Sequence, residues 1–259
     1  MSRALLSFWY GAHMTTTTKA PATARARARA ALTSEIKETA RRHMAESGAP
    51  ALSLRAVARD LGMVSSAVYR YFESRDTLLT ALIVDAFDAV GLAAEQAVEG
   101  LPDDVLVRWR AVAGAVRSWA LTNPHDYALV YGSPVPGYQA PADTVTPAAR
   151  VSVVMLQIVA DGVASGQIDT TSTASVPRVV HTDLARLRKL AAPGVPDEVL
   201  ARGLLVWTGL FGTISYELFG HLYRVIEDYD AFFEHQIGRA GDYLVHGPSM
   251  SIGRALRGG

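Results

Sequence analysis

The chain has no cysteine. That excludes a disulfide framework, a thiolate nucleophile and any cysteine-borne metal site, and it suits a reducing compartment. It lacks an excess of either charge, since 25 Lys and Arg balance 25 Asp and Glu over 259 residues. No N-terminal membrane or secretion segment is expected. The apolar run Ala4 to Tyr10 is too short to span a bilayer and no Ala-x-Ala cleavage pattern follows it. The expectation is a soluble, cytoplasmic protein with no membrane partner. Catalytic spacings are missing too. There is no Gly-x-Ser-x-Gly, phosphate loop or dinucleotide glycine pattern, and the seven histidines are scattered. His125 beside Asp126, and His181 near Asp183, lack the i, i+4 pairing that a helix-borne metal site needs. No catalytic residue, metal or cofactor is expected. Strand-like alternation is absent, so the fold class read from the chain is all-α.

What is there is concentrated in the first third. Residues 1–80 carry twelve Lys and Arg against six Asp and Glu, a net +6, and residues 81–259 carry thirteen against nineteen, a net −6. A basic head on an acidic body suits a molecule that meets phosphates at one end. Within the head, Leu54, Val57, Ala58 and Leu61 form one apolar stripe at i, i+3, i+4, i+7, with Ser53 placed as N-cap. Gly62 ends that helix, because glycine takes the left-handed C-terminal conformation without steric cost. Val68 and Phe72 then face back to the core and leave Ser65, Ser66, Tyr69 and Arg70 outward. Upstream, Ile36, Ala40 and His43/Met44 make a third stripe, started near Thr33/Ser34 and closed by Ser47-Gly48 before Pro50. Three short helices around one core, two of them joined by a glycine turn, make a helix-turn-helix. Its second helix is the element that enters the major groove.

Residues 34–80 resemble the N-terminal domain of the tetracycline-repressor (TetR) family of transcription regulators. The resemblance is carried by Ser53, Gly62-Met63, the close Tyr69-Arg70-Tyr71-Phe72, and the run Glu73-Ser74-Arg75-Asp76-Thr77-Leu78-Leu79 that enters a fourth helix. One departure stands out: Val64 occupies the position where the family usually places a serine, with Ser65 next in line as cap. The partner implied is double-stranded DNA. The expected contacts are Ser65, Ser66, Tyr69 and Arg70 on the recognition helix, with Arg70 reading a guanine edge or touching phosphate, and Ser53, Arg55 and Arg75 on phosphates. Residues 1–33 read as a disordered basic arm. Its Arg25, Arg27 and Arg29 either lie along phosphates or a minor groove, or form a solvated tail.

Residues 81–247 read as a larger helical body, and 248–259 as a flexible tail. Helices are expected over Leu78 to Val98, Val105 to Leu121, His125 to Tyr131, about Pro147 to Ser165, about Val176 to Leu190, Asp197 to about Tyr223, and Tyr229 to His246. A proline-rich loop follows Gly132. The segment Tyr127 to Tyr138, with Trp207-Thr208-Gly209-Leu210-Phe211-Gly212 and Glu217-Leu218, is similar to the C-terminal regulatory domain of an actinobacterial-type TetR subgroup, although Phe211 stands where a related set has histidine. That resemblance implies a ligand-sensing, dimer-forming body whose last two helices pack against a partner's. Trp109, Trp119, Tyr127, Tyr131, Trp207 and Tyr216 are the candidate lining for a bulky, largely apolar effector. Their other reading is core or dimer interface. The function expected is a ligand-responsive repressor acting as a homodimer on a palindromic operator. A nonspecific DNA-binding or protein-interaction module without effector is the alternative, and a small-molecule-processing enzyme a weaker one.

Overall fold

The computed structural model describes residues 23–171 and 176–248, and within them the chain is helical with no strand. The head comprises α1 (Ala24–Ser47), a 3-10 turn (Ala49–Ala51), α2 (Leu54–Asp60) and α3 (Ser65–Tyr69). α1 begins ten residues earlier than the expected arm allowed, so Arg25, Arg27 and Arg29 are helical. The physical reason is propensity: alternating Arg and Ala are among the best helix formers. The Thr23 side chain also accepts from the Ala26 amide and caps the extension. The arm's first 22 residues and the tail beyond Pro248 lie outside the described residues.

Gly62 closes α2 as expected, with a φ of 65°. The Met63 amide bonds the Ala58 carbonyl at 2.8 Å and the Gly62 amide bonds that of Arg59 at 3.0 Å, a Schellman pair. Val64, not Ser65, is the N-cap residue of α3, and its side chain makes no cap bond. Ser53 likewise sits at the N-cap of α2 in extended conformation without a side-chain cap bond. The head core is Ile36, Ala40, Val57, Val68, Phe72 and the first turns of α4 (Arg75–Ala97).

That long helix joins the two halves. Leu78, Leu79, Leu82 and Ile83 are buried in the head core, whereas Val90 and Ala94 are buried in the body core. The two cores therefore meet between Ile83 and Val90, inside one continuous helix. The body continues with α5 (Val105–Thr122), α6 (Pro124–Tyr131), α7 (Val145–Ala164), α8 (His181–Ala191), α9 (Asp197–Leu218) and α10 (Tyr229–His246). α8 starts later than expected, because Arg178–Val180 is a separate 3-10 turn. α9 stops five residues short of Tyr223. Gly220 takes a φ of 75°, and the His221 amide reaches the Tyr216 carbonyl at 2.9 Å, which closes the helix.

α4, α9 and the stretch Ala142–Ala164 are long and apolar enough to span a bilayer by length and composition, a property the N-terminal reading did not weigh. Here each lays a face against the bundle. Arg150 of α7 crosses Gly91 of α4 and pairs with Glu95 at 2.7 Å and Asp88 at 2.8 Å. A Cβ at residue 91 would fall 2.6 Å from the Arg150 Cβ, so glycine there is what lets the two helices touch.

Candidate nucleic-acid interface

On α3 the inward side is Val68, backed by Phe72, and both are buried. Ser66, Tyr69 and Arg70 are exposed, while Ser65 is half-buried. Neither serine hydroxyl has a hydrogen-bond partner among the described residues, so both are free for an outside acceptor or donor. The preceding helix α2 adds Arg55, exposed and without an ion pair among the described residues. Arg59, four residues on and on the same face, is equally exposed and has no ion pair there. The sequence reading passed over Arg59, although its i, i+4 spacing from Arg55 was the available signal.

The other expected cations are placed differently. Arg75 turns inward: its Nη2 donates to the Ala49 carbonyl at 3.0 Å and the Pro50 carbonyl at 3.3 Å, bracing the turn before α2. Arg29 stacks over the Tyr71 ring at 4.9 Å, which seats the helical extension beside the end of α3, and Arg25 and Arg27 are exposed on the same extension. His43 Nε2 lies 2.6 Å from Asp60 Oδ2 and ties α1 to α2; that contact holds the Asp60 carboxyl below its usual range.

The joint to the body is ionic. Lys37 Nζ meets Asp85 at 2.8 Å, Arg41 Nη2 meets Asp85 at 3.0 Å, and Arg41 Nε is 3.4 Å from Asp126 Oδ2 at the start of α6. Burial pushes the Asp126 carboxyl up; Arg41 opposes that, and Asp85 and Glu38 add to it. Its Oδ1 is buried without a hydrogen bond among the described residues.

The six candidate lining residues separate. Tyr127, Tyr131 and Trp207 come together with Phe211 between α6 and α9: Tyr127–Tyr131 centroids lie 5.1 Å apart, Tyr131–Phe211 4.3 Å and Trp207–Phe211 5.1 Å. The Tyr127 hydroxyl donates to the Phe211 carbonyl at 3.1 Å and lies 2.9 Å from Ser215 Oγ. Trp207 Nε1 is buried with no acceptor among the described residues. Trp109 is fully buried elsewhere, its Nε1 donating to the Ile237 carbonyl at 2.8 Å and binding α5 to α10. Trp119 lines an open groove of about 510 Å³ between α4 and α5, with Gln96, Ser118 and Asn123. Tyr216 is exposed on the outer face of α9, beside His221. The His181 that sequence reading set near Asp183 pairs instead with Asp197.

Residues 36–82 match the family model described as bacterial regulatory proteins, tetR family, and residues 109–240 match the tetracyclin repressor-like C-terminal domain. The chain belongs to the TetR family of bacterial transcriptional regulators. As such it is a DNA-binding regulator carrying a helix-turn-helix, and not an enzyme. It is 46% identical over 194 residues, 72% of this chain and 80% of the relative, to the HTH-type transcriptional regulator Rv1816 of Mycobacterium tuberculosis. The HTH-type transcriptional regulator Mb1846 of Mycobacterium bovis gives the same figures. The solved structure of the regulatory protein SCO4313 is 33% identical and covers 83% of this chain and 97% of its own, with a TM-score of 0.69. The TetR family transcriptional regulator PfmR of Thermus thermophilus, 17% identical, shares the fold. It covers 81% of this chain and 96% of its own at a TM-score of 0.52.

Proposed function

We propose that this TetR-family protein is a cytoplasmic, ligand-responsive repressor that binds a palindromic operator as a homodimer. The observation that carries the reading is the outward set on α2 and α3: Ser53, Arg55, Ser65, Ser66, Tyr69 and Arg70 present hydroxyls, a phenol and guanidinium groups without internal partners. Arg25, Arg27 and Arg29 extend the cationic surface along α1, and Arg75 contributes by bracing the turn. The homodimer rests on α9. Its outer face exposes Leu204, Leu205, Thr208, Gly209, Gly212 and Tyr216, an apolar strip with two glycines that let a second helix approach closely. Two-fold pairing through α9 and α10 sets the two α3 helices to read half-sites about 34–36 Å apart, or a multiple.

The effector reading rests on Tyr127, Tyr131 and Trp207. The cluster is apolar, bears one unused buried donor on Trp207, and shares α6 with Asp126 at the head joint. A bulky apolar ligand seated there moves α6 and, through α4, the head. It releases DNA only by binding the displaced form better. Trp119 in its groove is a second place for such a ligand, whereas Trp109 serves the core and Tyr216 the dimer face. Selection of bound fragments from random duplex DNA at physiological salt tests the operator reading. The native protein enriches a palindrome, and a Tyr69→Ala, Arg70→Ala double variant loses it. An equal motif from both proteins overturns the recognition-helix assignment.

A further inference from the structure

Between Gly62 and α3 the turn holds two apolar residues with opposite fates. Met63 packs onto the head core and is half-buried; Val64 turns out and is 71% exposed. Val64 is thus neither a core anchor nor, lacking a hydroxyl, a cap for the helix it precedes. It stands at the leading end of α3, the end whose residues reach base edges when such a helix enters the major groove. The three residues behind it, Ser65, Ser66 and Ala67, are all small. They leave Val64 as the bulkiest group at the tip and let the tip approach the bases. The next large exposed group, Tyr69, comes a full turn later.

In the major groove the apolar feature of a base pair is the thymine C5-methyl; every other edge offers a donor or an acceptor. An isopropyl group there gains from covering a methyl and loses by covering an amino or carbonyl group it cannot bond. We propose that Val64 is a specificity-determining residue that reads a thymine by van der Waals contact with its C5-methyl group. This rests on the reading of α3 as the recognition helix, and adds that one of its sequence preferences is apolar and lies at its N-cap residue.

The test uses the duplex selected by the full chain. Each thymine is replaced in turn by uracil, which removes one methyl and leaves the hydrogen-bonding edges intact. The native protein loses about fourfold in affinity at one thymine position, the worth of roughly one buried methyl group. Val64→Ser, and separately Val64→Ala, bind the thymine and uracil duplexes equally at that position. Val64→Ala keeps the native melting temperature, since the side chain is exposed, and Val64→Ser keeps or raises it, because serine supplies the cap that α3 lacks. Sensitivity to uracil nowhere, or the same sensitivity in Val64→Ser and Val64→Ala as in the native chain, overturns the inference. The two readings fail differently. A selected motif that survives Tyr69→Ala, Arg70→Ala removes the recognition helix itself, while a motif lost in that variant but indifferent to uracil removes only Val64. A selection without any preferred sequence overturns both.

Discussion

The outer face of the helix-turn-helix and the packed interior of the body use arginine in opposite ways. In the body, Arg117 binds Glu217 through two nitrogens at 2.7 and 2.8 Å, reaches Asp230 at 2.7 Å and covers the Phe233 ring at 4.7 Å. Arg150 is held by Glu95 and Asp88, and Arg108 by Asp103 and Asp161. In the head, Arg55, Arg59 and Arg70 face solvent and form no ion pair among the described residues. A bidentate pair that excludes water fixes helices to one another, whereas an unpaired guanidinium keeps its full capacity for phosphate or a base. Formal net charge conceals this division; only the placement of each cation reveals it.

The sharpest way to break the comparison is to truncate one large side chain in each half. Trp109→Ala removes a fully buried indole and its bond to the Ile237 carbonyl, so a loss of about 3–5 kcal/mol in unfolding free energy is expected by denaturant titration. The same truncation at exposed Tyr69 leaves stability within about 0.5 kcal/mol and registers in DNA affinity instead. Exchanging the arginines makes the contrast electrostatic. Arg117→Ala leaves Glu217, which is only 10% exposed, without its guanidinium, and costs about 3 kcal/mol of stability. Arg70→Ala weakens operator binding by about 1–3 kcal/mol without shifting the melting temperature. If Arg70→Ala destabilised the fold, or Arg117→Ala left it intact, the two halves would not differ in the way described.

The head was the more legible half because local chemistry decides it. Gly62 had to be left-handed, Val57 and Val68 had to face inward, and the surface left over was the functional one. Legibility failed where a residue's role depends on a distant partner. Nothing local to Arg75 announces the Ala49 and Pro50 carbonyls, some 25 residues back, that claim its Nη2. Trp109 and Tyr127 look alike as buried aromatics in sequence. One is fixed by a carbonyl of α10 and the other by α9, and only packing tells the core member from the cluster member. The helical Arg25–Arg29 stretch was misjudged for a different reason. Its Arg and Ala content favours a helix, but the Thr23 cap and the seat of Arg29 over Tyr71 that hold it there are visible only in the folded chain.

Gly91 sharpens the comparison at the element the halves share. Ala in place of a mid-helix glycine gains about 0.5–1 kcal/mol of propensity. The new Cβ, however, would lie 2.6 Å from the Arg150 Cβ, the side-chain atom fixed most directly by its backbone, so α4 and α7 must separate. Overpacking of that kind costs about 1–3 kcal/mol. Gly91→Ala is therefore expected to lose about 1 kcal/mol net. Because α4 carries the head core as well, the same variant should also change operator affinity. Calorimetry and a binding isotherm on one preparation check both.

The smallest effect lies at the joint. Asp60, Asp169 and Asp197 have carboxyls held below the usual range by hydrogen bonds, but Asp126 is raised above it, chiefly by burial. A group whose folded pKa is raised stabilises the fold fully below its unfolded pKa, about 3.9 for Asp, and that contribution is lost as pH rises through the folded value. At neutral pH the ionised Asp126 is therefore a cost, offset in part by Arg41 at 3.4 Å. Asp126→Asn removes the titration and is expected to raise stability by about 0.5 kcal/mol at neutral pH. The melting-temperature gap from the native chain should close as pH falls through the acid range. A lower melting temperature for Asp126→Asn at neutral pH would mean that the Arg41 contact outweighs burial. Asp126 would then join the locked carboxylates of the body, and the head would be held by a firm ion pair on its α6 side as well as by Lys37 and Arg41 on Asp85.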